Sequence, residues 1–238
     1  IARDMMPKIG LLYNSVSATA SPSTDARLVE LVGKFGACQV ESRGGEIGSS
    51  RRHALALASQ DNVAIHYCDF DRLLHWMQTA PAELASLLLQ SGRADYTMIG
   101  RTPEAFATHP EYQRRTEELT NRVFSLWYGS EVDITAGSCA MTPATARLIL
   151  DHSVAPTNAT DAEWPAIVFR AGGKLEYVET DGLSFETADY FADEIAQAGS
   201  LDAWLAEQSR LPETWVQRTR LALESMEAIV AALSAETK

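Results

Sequence analysis

The chain has 238 residues and a net charge of −12, with 46% hydrophobic and 22% charged residues. This is the composition of an ordinary globular protein that is long enough for one large domain. Such an acidic chain is not expected to bind nucleic acid through its phosphates, or anionic lipid through a basic patch. Its three cysteines, Cys38, Cys68 and Cys139, lie far apart, which indicates reduced thiols and a cytoplasmic location. No apolar run reaches the roughly 18 residues of a membrane span, so we predict no transmembrane segment.

The hydrophobic pattern predicts alternating strands and helices. Short apolar runs indicate the strands, and apolar residues at helical spacing indicate the helices. The predicted strands cover 8–14, 37–42, 62–70, 94–100, 133–141 (strand or loop) and 174–185. The predicted helices cover 23–36 (capped by Ser23 or Thr24), 50–59, 81–92, 102–130, 142–150, 164–173, 200–211 and 212–235, and residues 15–23 are predicted as a polar loop. This order predicts an α/β fold with a mostly parallel sheet, helices on both faces, and C-terminal helices.

Two aspartates follow the third predicted strand. Alternation along an extended chain places Asp69 and Asp71 on one side, with Phe70 on the other. Two carboxylates on the same side of a strand repel each other. This arrangement therefore favours the binding of a divalent cation over a purely structural role. Mg²⁺ and Mn²⁺ suit carboxylate oxygens and take further ligands from substrate phosphates. A solvated turn is the alternative interpretation.

The ends of three predicted strands are expected to meet. In a parallel sheet, ligands bind beyond the carboxyl ends of the strands. Asn14, residues 42–45 and the two aspartates after the third strand all fall at such ends. The helix after the glycine-rich loop begins with Arg51 and Arg52, either of which can clamp a diphosphate or simply face solvent.

The order of these parts resembles a known family. The run GGEIGSSRRHALALASQDNVAIHYCDFD, with its glycine loop, arginine helix and Asp-x-Asp strand end, resembles the donor half of family-2-type glycosyltransferases with the GT-A fold. DITAGSCAMTPATARLIL resembles the entry to that family's acceptor site, and TDAEWPAIVFRAGGKLEYVETDGLSFET resembles its acidic motif. The resemblance covers roughly residues 8–187. It implies a GT-A-like (Rossmann-like) domain over residues 1–200, and a helical tail over 201–238 that packs on the domain or on a partner subunit.

The resemblance also implies roles for individual residues. It implies a nucleoside-diphosphate sugar as donor, a hydroxyl acceptor at Gly137 and Ser138, and Mg²⁺ or Mn²⁺ held by Asp69 and Asp71. The residues it implies for the donor nucleotide are Tyr13, Asn14, Glu41, Arg43, Gly44, Gly45, Arg51, Arg52 and Asp69. The first two predicted strands depart from the family pattern, because they end in YNS and ESR, and this leaves the nucleotide base open.

Asp161 and Glu163 are the candidate catalytic acids. The run TDAE fits a capping box with Thr160 as the cap. In that register Pro165 would lie inside the helix and lack a hydrogen bond. We therefore predict that the helix begins near Pro165, since proline prefers the first helical position. Both acids then lie in a loop, where either can act as the general base for the acceptor hydroxyl, and the resemblance favours Asp161.

The sequence thus predicts a cytoplasmic, metal-dependent glycosyltransferase with two alternatives. A nucleotidylyltransferase would need a basic, glycine-rich loop after the first strand, and YNSVSATASPSTD has neither glycine nor lysine or arginine. A non-catalytic nucleotide- or sugar-binding protein of the same fold is the second alternative, because site chemistry and not fold decides function. Apolar residues at helical spacing near the C-terminus predict packing on the domain or a homodimer.

Overall fold

A computed structural model describes residues 1–40, 46–61, 63–90, 92–186 and 191–234. In this part of the chain the strands are β1 (Val16–Ala20), β2 (Gly36–Val40), β3 (Ile65–Cys68), β4 (Tyr96–Arg101), β5 (Ser138–Met141) and β6 (Leu175–Thr180). The helices are α1 (Ala2–Leu12), α2 (Ala26–Gly33), α3 (Ile47–Ala58), α4 (Phe70–Thr79), α5 (Pro81–Leu88), α6 (Pro103–Ala107), α7 (Glu111–Tyr128), α8 (Pro143–His152), α9 (Thr160–Arg170), α10 (Ala192–Ala198), α11 (Leu201–Gln208) and α12 (Pro212–Ser234).

The strands form two sheets. β1 and β2 are a separate parallel pair, and the other four strands follow the order β3-β5-β4-β6. β5 is antiparallel to both β3 and β4, whereas β4 and β6 are parallel. The α/β class is therefore confirmed, but the sheets are mixed and not mostly parallel. Since β3, β4 and β6 run in the same direction, their carboxyl ends share one edge of the sheet with the start of β5.

The N-terminal segment differs from its prediction. Residues 8–14 begin inside α1, whose buried side chains Met5, Met6 and Ile9 lie at helical spacing and pack against α4 and α2. The first strand is β1, within the segment predicted as a polar loop. A short apolar run does not distinguish a strand from a buried helix, and here the tertiary contacts favour the helix. In β1 the β-branched Val16 and Thr19 suit an extended backbone.

The two aspartates after β3 do not lie on a strand. β3 ends at Cys68, Asp69 is the N-cap residue of α4, and Asp71 lies in the first turn of that helix. The prediction of a shared strand face is therefore wrong, because the chain turns into a helix between them. The cap of α2 also differs, since Asp25 and not Ser23 or Thr24 accepts a hydrogen bond from a backbone amide of that helix.

The helix that carries the two candidate catalytic acids starts earlier than predicted. α9 begins at Thr160 and contains Pro165 in its interior. The proline removes the one hydrogen bond that the carbonyl of Asp161 would accept. Burial of Trp164, which is 2% exposed, and of the proline beside it offsets that loss. Asp161 therefore lies in a first helical turn, where the helix dipole favours a carboxylate.

The C-terminal helix packs on the domain. α12 contacts α7 and α9 and buries Ala222 and Ile229. On its outer side, Val216, Leu223 and Val230 are about half exposed, and their spacing of seven residues places them in one stripe. None of the described helices is long and apolar enough to cross a membrane.

Candidate functional site

A cavity of about 750 Å³, here called the main cavity, lies between β1, α3 and the carboxyl end of β3. Its wall brings together five of the residues predicted to bind the donor or the metal, which are Tyr13, Asn14, Arg51, Asp69 and Asp71. These residues come from three segments of the chain. Of the three predicted strand ends, those at Asn14 and at the two aspartates meet in this cavity, although a helix and not a strand precedes Asn14, and residues 42–45 lie outside the described residues.

Arg51 connects two acidic residues from different elements. Its side chain is 6% exposed. Nη2 donates to Oδ2 of Asp69 at 2.6 Å, and Nη1 donates to Oδ1 of Asp161 at 2.7 Å and to Oγ1 of Thr160 at 2.9 Å. Burial lowers the pKa of Arg51, but the charges of Asp161 and Asp69 outweigh this effect and raise the pKa well above its usual value. The guanidinium therefore stays charged and joins the start of α4 to the start of α9.

Asp69 makes hydrogen bonds to three other residues. Besides the ion pair with Arg51, its Oδ1 accepts a hydrogen bond from the Tyr67 hydroxyl at 2.8 Å. Its backbone amide donates to the carbonyl of Gly137 at 3.1 Å. Gly137 has a φ of +68°, and a Cβ at this position would lie 2.8 Å from Oδ2 of Asp69. Both the backbone conformation and the space beside the carboxylate therefore require glycine at this predicted acceptor residue.

Asp71 lies close to other negative charges. Burial raises its pKa, and the charges of Asp69 and Glu186 raise it further. Its Oδ1 accepts a hydrogen bond from the amide of Arg72 at 2.9 Å. A divalent cation would relieve this repulsion, and carboxylate oxygens are its preferred ligands. The described residues contain no group of three or more metal-binding side chains. A cation at Asp69 and Asp71 would therefore need its other ligands from water or phosphate.

Asp161 lies in a smaller polar cavity, here called the inner cavity, of about 50 Å³. The inner cavity shares Asp69 and Asn158 with the wall of the main cavity. The pKa of Asp161 is raised to about 6. Burial is the largest cause of this rise. The charge of Arg51 opposes it, and the charge of Asp69 adds to it. A carboxyl group with this pKa gains and loses a proton near neutral pH, as a general base must.

Glu163 and Arg52 contact the segment that follows α8 and not Asp69. Oε1 of Glu163 accepts hydrogen bonds from the amides of Val154 at 2.8 Å and Ala155 at 2.9 Å, and Oε2 accepts one from the Ser153 hydroxyl. Arg52 donates to the carbonyl of Ala155 at 2.7 Å. The two side chains thus hold the segment that follows α8. The structure brings Asp161 and Arg51 to Asp69, and it does not bring Glu163 and Arg52 there.

A partly buried histidine joins two other predicted residues. The hydroxyl of Tyr13 lies 2.6 Å from Nδ1 of His66, and the hydroxyl of Ser138 lies 3.0 Å from its Nε2. Burial lowers the pKa of His66 to about 4 and raises the pKa of Tyr13 above its usual value. His66 is therefore neutral and connects the main cavity to the start of β5. Its sequence context has no recognisable ligand spacing, so only the fold reveals this role.

A second buried ion pair was missed in the sequence. Arg101, at the end of β4, donates from Nε to Oδ2 of Asp133 at 2.7 Å and from Nη2 to Oε2 of Glu117 at 2.7 Å. Although burial raises the pKa of Asp133, Arg101 holds it well below its usual value. Glu117 also lines the inner cavity, together with Arg72. The position of Arg101 at the end of a predicted strand could have marked it as a site residue. Glu117 could not be recognised in the same way, because it is one of several charged residues on its helix.

Four of the residues predicted to bind the donor, Glu41, Arg43, Gly44 and Gly45, lie outside the described residues. No protein-family model, curated protein or solved structure matches the chain. Its function is therefore inferred from the residues of the site.

Proposed function

We propose that the protein is a divalent-metal-dependent glycosyltransferase that moves a sugar from a nucleoside-diphosphate sugar to a hydroxyl acceptor. The observation that carries the proposal is the double ion pair of Arg51. It holds Asp69, which faces the main cavity, and Asp161, which faces the inner cavity, on one guanidinium. The candidate metal ligand and the candidate base are thereby neighbours, as a transfer between two substrates requires. A GT-A-like arrangement is part of this proposal.

The main cavity is proposed to bind the donor. Its volume of about 750 Å³ falls within the roughly 300–1,000 Å³ of small-molecule sites. Asp69 and Asp71 would hold Mg²⁺ or Mn²⁺, which supplies positive charge to the departing diphosphate. Arg51 lines the same cavity and Arg52 does not, so we assign contact with the diphosphate to Arg51.

Asp161 is proposed to act as the general base. Its carboxylate takes the proton of the acceptor hydroxyl while the hydroxyl oxygen bonds to the anomeric carbon of the donor. The bond between that carbon and the diphosphate oxygen breaks, and its electron pair leaves with the diphosphate. Since the pKa of Asp161 is raised to about 6, the group is ionised at pH 7 to 8 and is still basic enough to accept a proton.

Thermal unfolding with nucleoside diphosphates, with and without Mn²⁺, tests the donor and metal sites. A ligand at a hundred times its Kd stabilises the folded state by about 2.7 kcal/mol, which is readily measured. Asp71→Asn should abolish the part of this stabilisation that depends on Mn²⁺. Asp151→Asn, on the exposed side of α8, should behave as the unmodified protein does. Unchanged metal dependence in Asp71→Asn would contradict the metal site.

Arg51 and Arg52 form a matched pair for the diphosphate contact. Arg51→Lys keeps the charge but removes the planar donor pair. It should weaken a nucleoside diphosphate by about 1.5–3 kcal/mol relative to the matching nucleoside, the size of a charged hydrogen bond. Arg52→Lys should leave that difference unchanged. If Arg51→Lys weakens both ligands equally, Arg51 has no contact with phosphate.

A second candidate is a nucleotide- or sugar-binding protein without turnover. The observation that favours it is again Arg51, because the ion pairs hold both acids in fixed positions, which also suits a rigid binding site. Incubation with a panel of nucleotide sugars and Mn²⁺ separates the two candidates. Slow release of free sugar supports the transferase, and tight binding without release supports the binding protein.

A further inference from the structure

A second groove of about 1120 Å³, here called the C-terminal groove, lies between α11, α12 and the loop that precedes α9. It meets the main cavity at Ile47 and Asn158. It meets the inner cavity at Asn158, Arg218 and Leu221. The inner cavity, which contains Asp161, therefore borders two larger spaces, and a molecule in the groove would approach Asp161 through it.

Asn158 lies where the three spaces meet. Its backbone carbonyl accepts a hydrogen bond from the amide of Asp161 at 3.0 Å, so the side chain stands one helical turn from the candidate base. Among the residues that the structure describes, its side-chain Oδ1 is buried and has no hydrogen-bond partner. A buried acceptor without a donor is costly. A hydroxyl group of a bound molecule would supply the missing donor three residues before Asp161.

The lining of the groove indicates the chemistry of its ligand. The negative and positive charges of its lining nearly cancel. The charged side chains are Glu194, Glu213, Glu224, Arg218 and Arg220. This balance does not favour a polyphosphate or another strongly charged ligand. Gln208 and Gln217 add amide groups that both donate and accept hydrogen bonds. Phe191, 36% exposed, stacks on Trp204 with ring centres 5.1 Å apart and offers a flat apolar face. Amides, opposed charges and an aromatic face suit a ligand that is rich in hydroxyl groups and has apolar C–H faces.

We infer that the C-terminal groove binds the acceptor, and that the acceptor is a neutral oligosaccharide whose terminal hydroxyl reaches Asp161 past Asn158. The inference rests on the proposed function and names the acceptor class for it. The volume of the groove exceeds the roughly 300–1,000 Å³ of sites for single small molecules, which fits several linked sugar units. The donor in the main cavity and the acceptor in the groove then adjoin at Asn158.

Saturation-transfer NMR of the full chain with a panel of neutral tetrasaccharides tests the groove without requiring turnover. We expect at least one α- or β-linked glucan or chitin-type tetrasaccharide to bind. Gln217→Ala and Asn158→Ala should each weaken that binding about tenfold, as the loss of one hydrogen bond predicts. Glu227→Ala, exposed on the same helix and outside the groove, is the control and should bind as the unmodified protein does.

The outcomes separate the groove from the donor site. A protein that is stabilised by nucleoside diphosphate but binds no neutral tetrasaccharide overturns the inference and leaves the proposed function intact. Tetrasaccharide binding that Gln217→Ala and Asn158→Ala leave unchanged also overturns it. Preferential binding of a short-chain phospholipid or a polyanionic saccharide overturns the acceptor class. Tetrasaccharide binding that is weakened as expected, in a protein that binds no nucleoside diphosphate, supports the groove and refutes the proposed function.

Discussion

Replacement of Arg51 by methionine tests the arrangement of the site. Arg51→Met retains much of the side-chain volume but removes the guanidinium that holds Asp69 and Asp161. The two carboxylates then face each other in a largely buried environment, 27% and 18% exposed. Removing one partner of a buried ion pair costs about 3–5 kcal/mol, because a charge is left without compensation. We therefore expect a loss of that size in the free energy of unfolding at pH 8.

The loss should depend on pH through Asp161. Its pKa is about 6 in the folded protein, already above its usual value, and without Arg51 it rises further. The folded state then takes up the proton more readily than the unfolded chain does, so stability falls as pH rises through the folded pKa. Each additional unit of pKa adds about 1.4 kcal/mol to the loss above that pKa. At pH 5 Asp161 carries more proton than at pH 8, so the loss should be smaller there, by about 1.4 kcal/mol for each unit by which the pKa has risen.

Urea unfolding at pH 5 and pH 8 measures both quantities. Arg52→Met is the matched control, because Arg52 donates to the carbonyl of Ala155, which does not titrate, and its loss should be equal at the two pH values. Adding Asp161→Asn to Arg51→Met should recover part of the stability at pH 8. An Arg51→Met loss that is the same at both pH values, or no larger than that of Arg52→Met, would refute the reasoning.

Four further predictions concern Asp161, Glu163, His66 and the outer stripe of α12. Asp161→Asn should lower kcat by roughly 10²–10⁴-fold with little change in donor binding. Glu163→Gln should retain turnover and lose about 1–3 kcal/mol of stability, and near-normal turnover in both variants would mean a retaining mechanism or another base. His66 has a folded pKa of about 4, below its usual 6.5, so the stability it contributes is lost as pH falls from 6.5 towards 4. His66→Gln should flatten that part of the stability curve, by up to about 3 kcal/mol, and an unchanged curve would contradict the assignment. If the outer stripe of α12 forms a homodimer, Leu223→Glu with Val230→Glu should give a monomer by light scattering, and a monomeric unmodified protein would exclude the dimer.

The sequence predicted strands at β3, β4 and β6, and β4 is the clearest of them because all six of its residues are buried. It also placed Asn14 and Asp69 in one site from their expected strand ends, and they do line one cavity, although a helix and not a strand precedes Asn14. It was wrong where a short pattern fits two structures. The run 8–14 is apolar enough for either a strand or a helix, and burial of Met6 and Ile9 in α1 decides between them.

Long-range contacts explain what the sequence could not show about the candidate acids. Thr160 and Glu163 suggested a helix start, and Pro165 argued against it by its local preference alone. The structure overrides that preference through the burial of α9. Asp161 and Glu163 are two residues apart in sequence, yet one contacts Arg51 and the other contacts the segment after α8. Only the packing of α9 determines which carboxylate faces the site.

The bond between Arg51 and Asp161 has a consequence for how the protein folds. The two residues are separated by 110 positions in sequence, whereas Arg51 and Asp69 are separated by 18. Closing the long loop costs chain entropy before the contact forms, so such a contact is slow to assemble. The N-terminal half of the chain can bring Arg51 to Asp69 during synthesis, but its buried guanidinium gains its second carboxylate only after α9 has emerged and docked. A chain truncated before α9 would therefore present a half-compensated charge, so the candidate site forms only in a chain that includes α9.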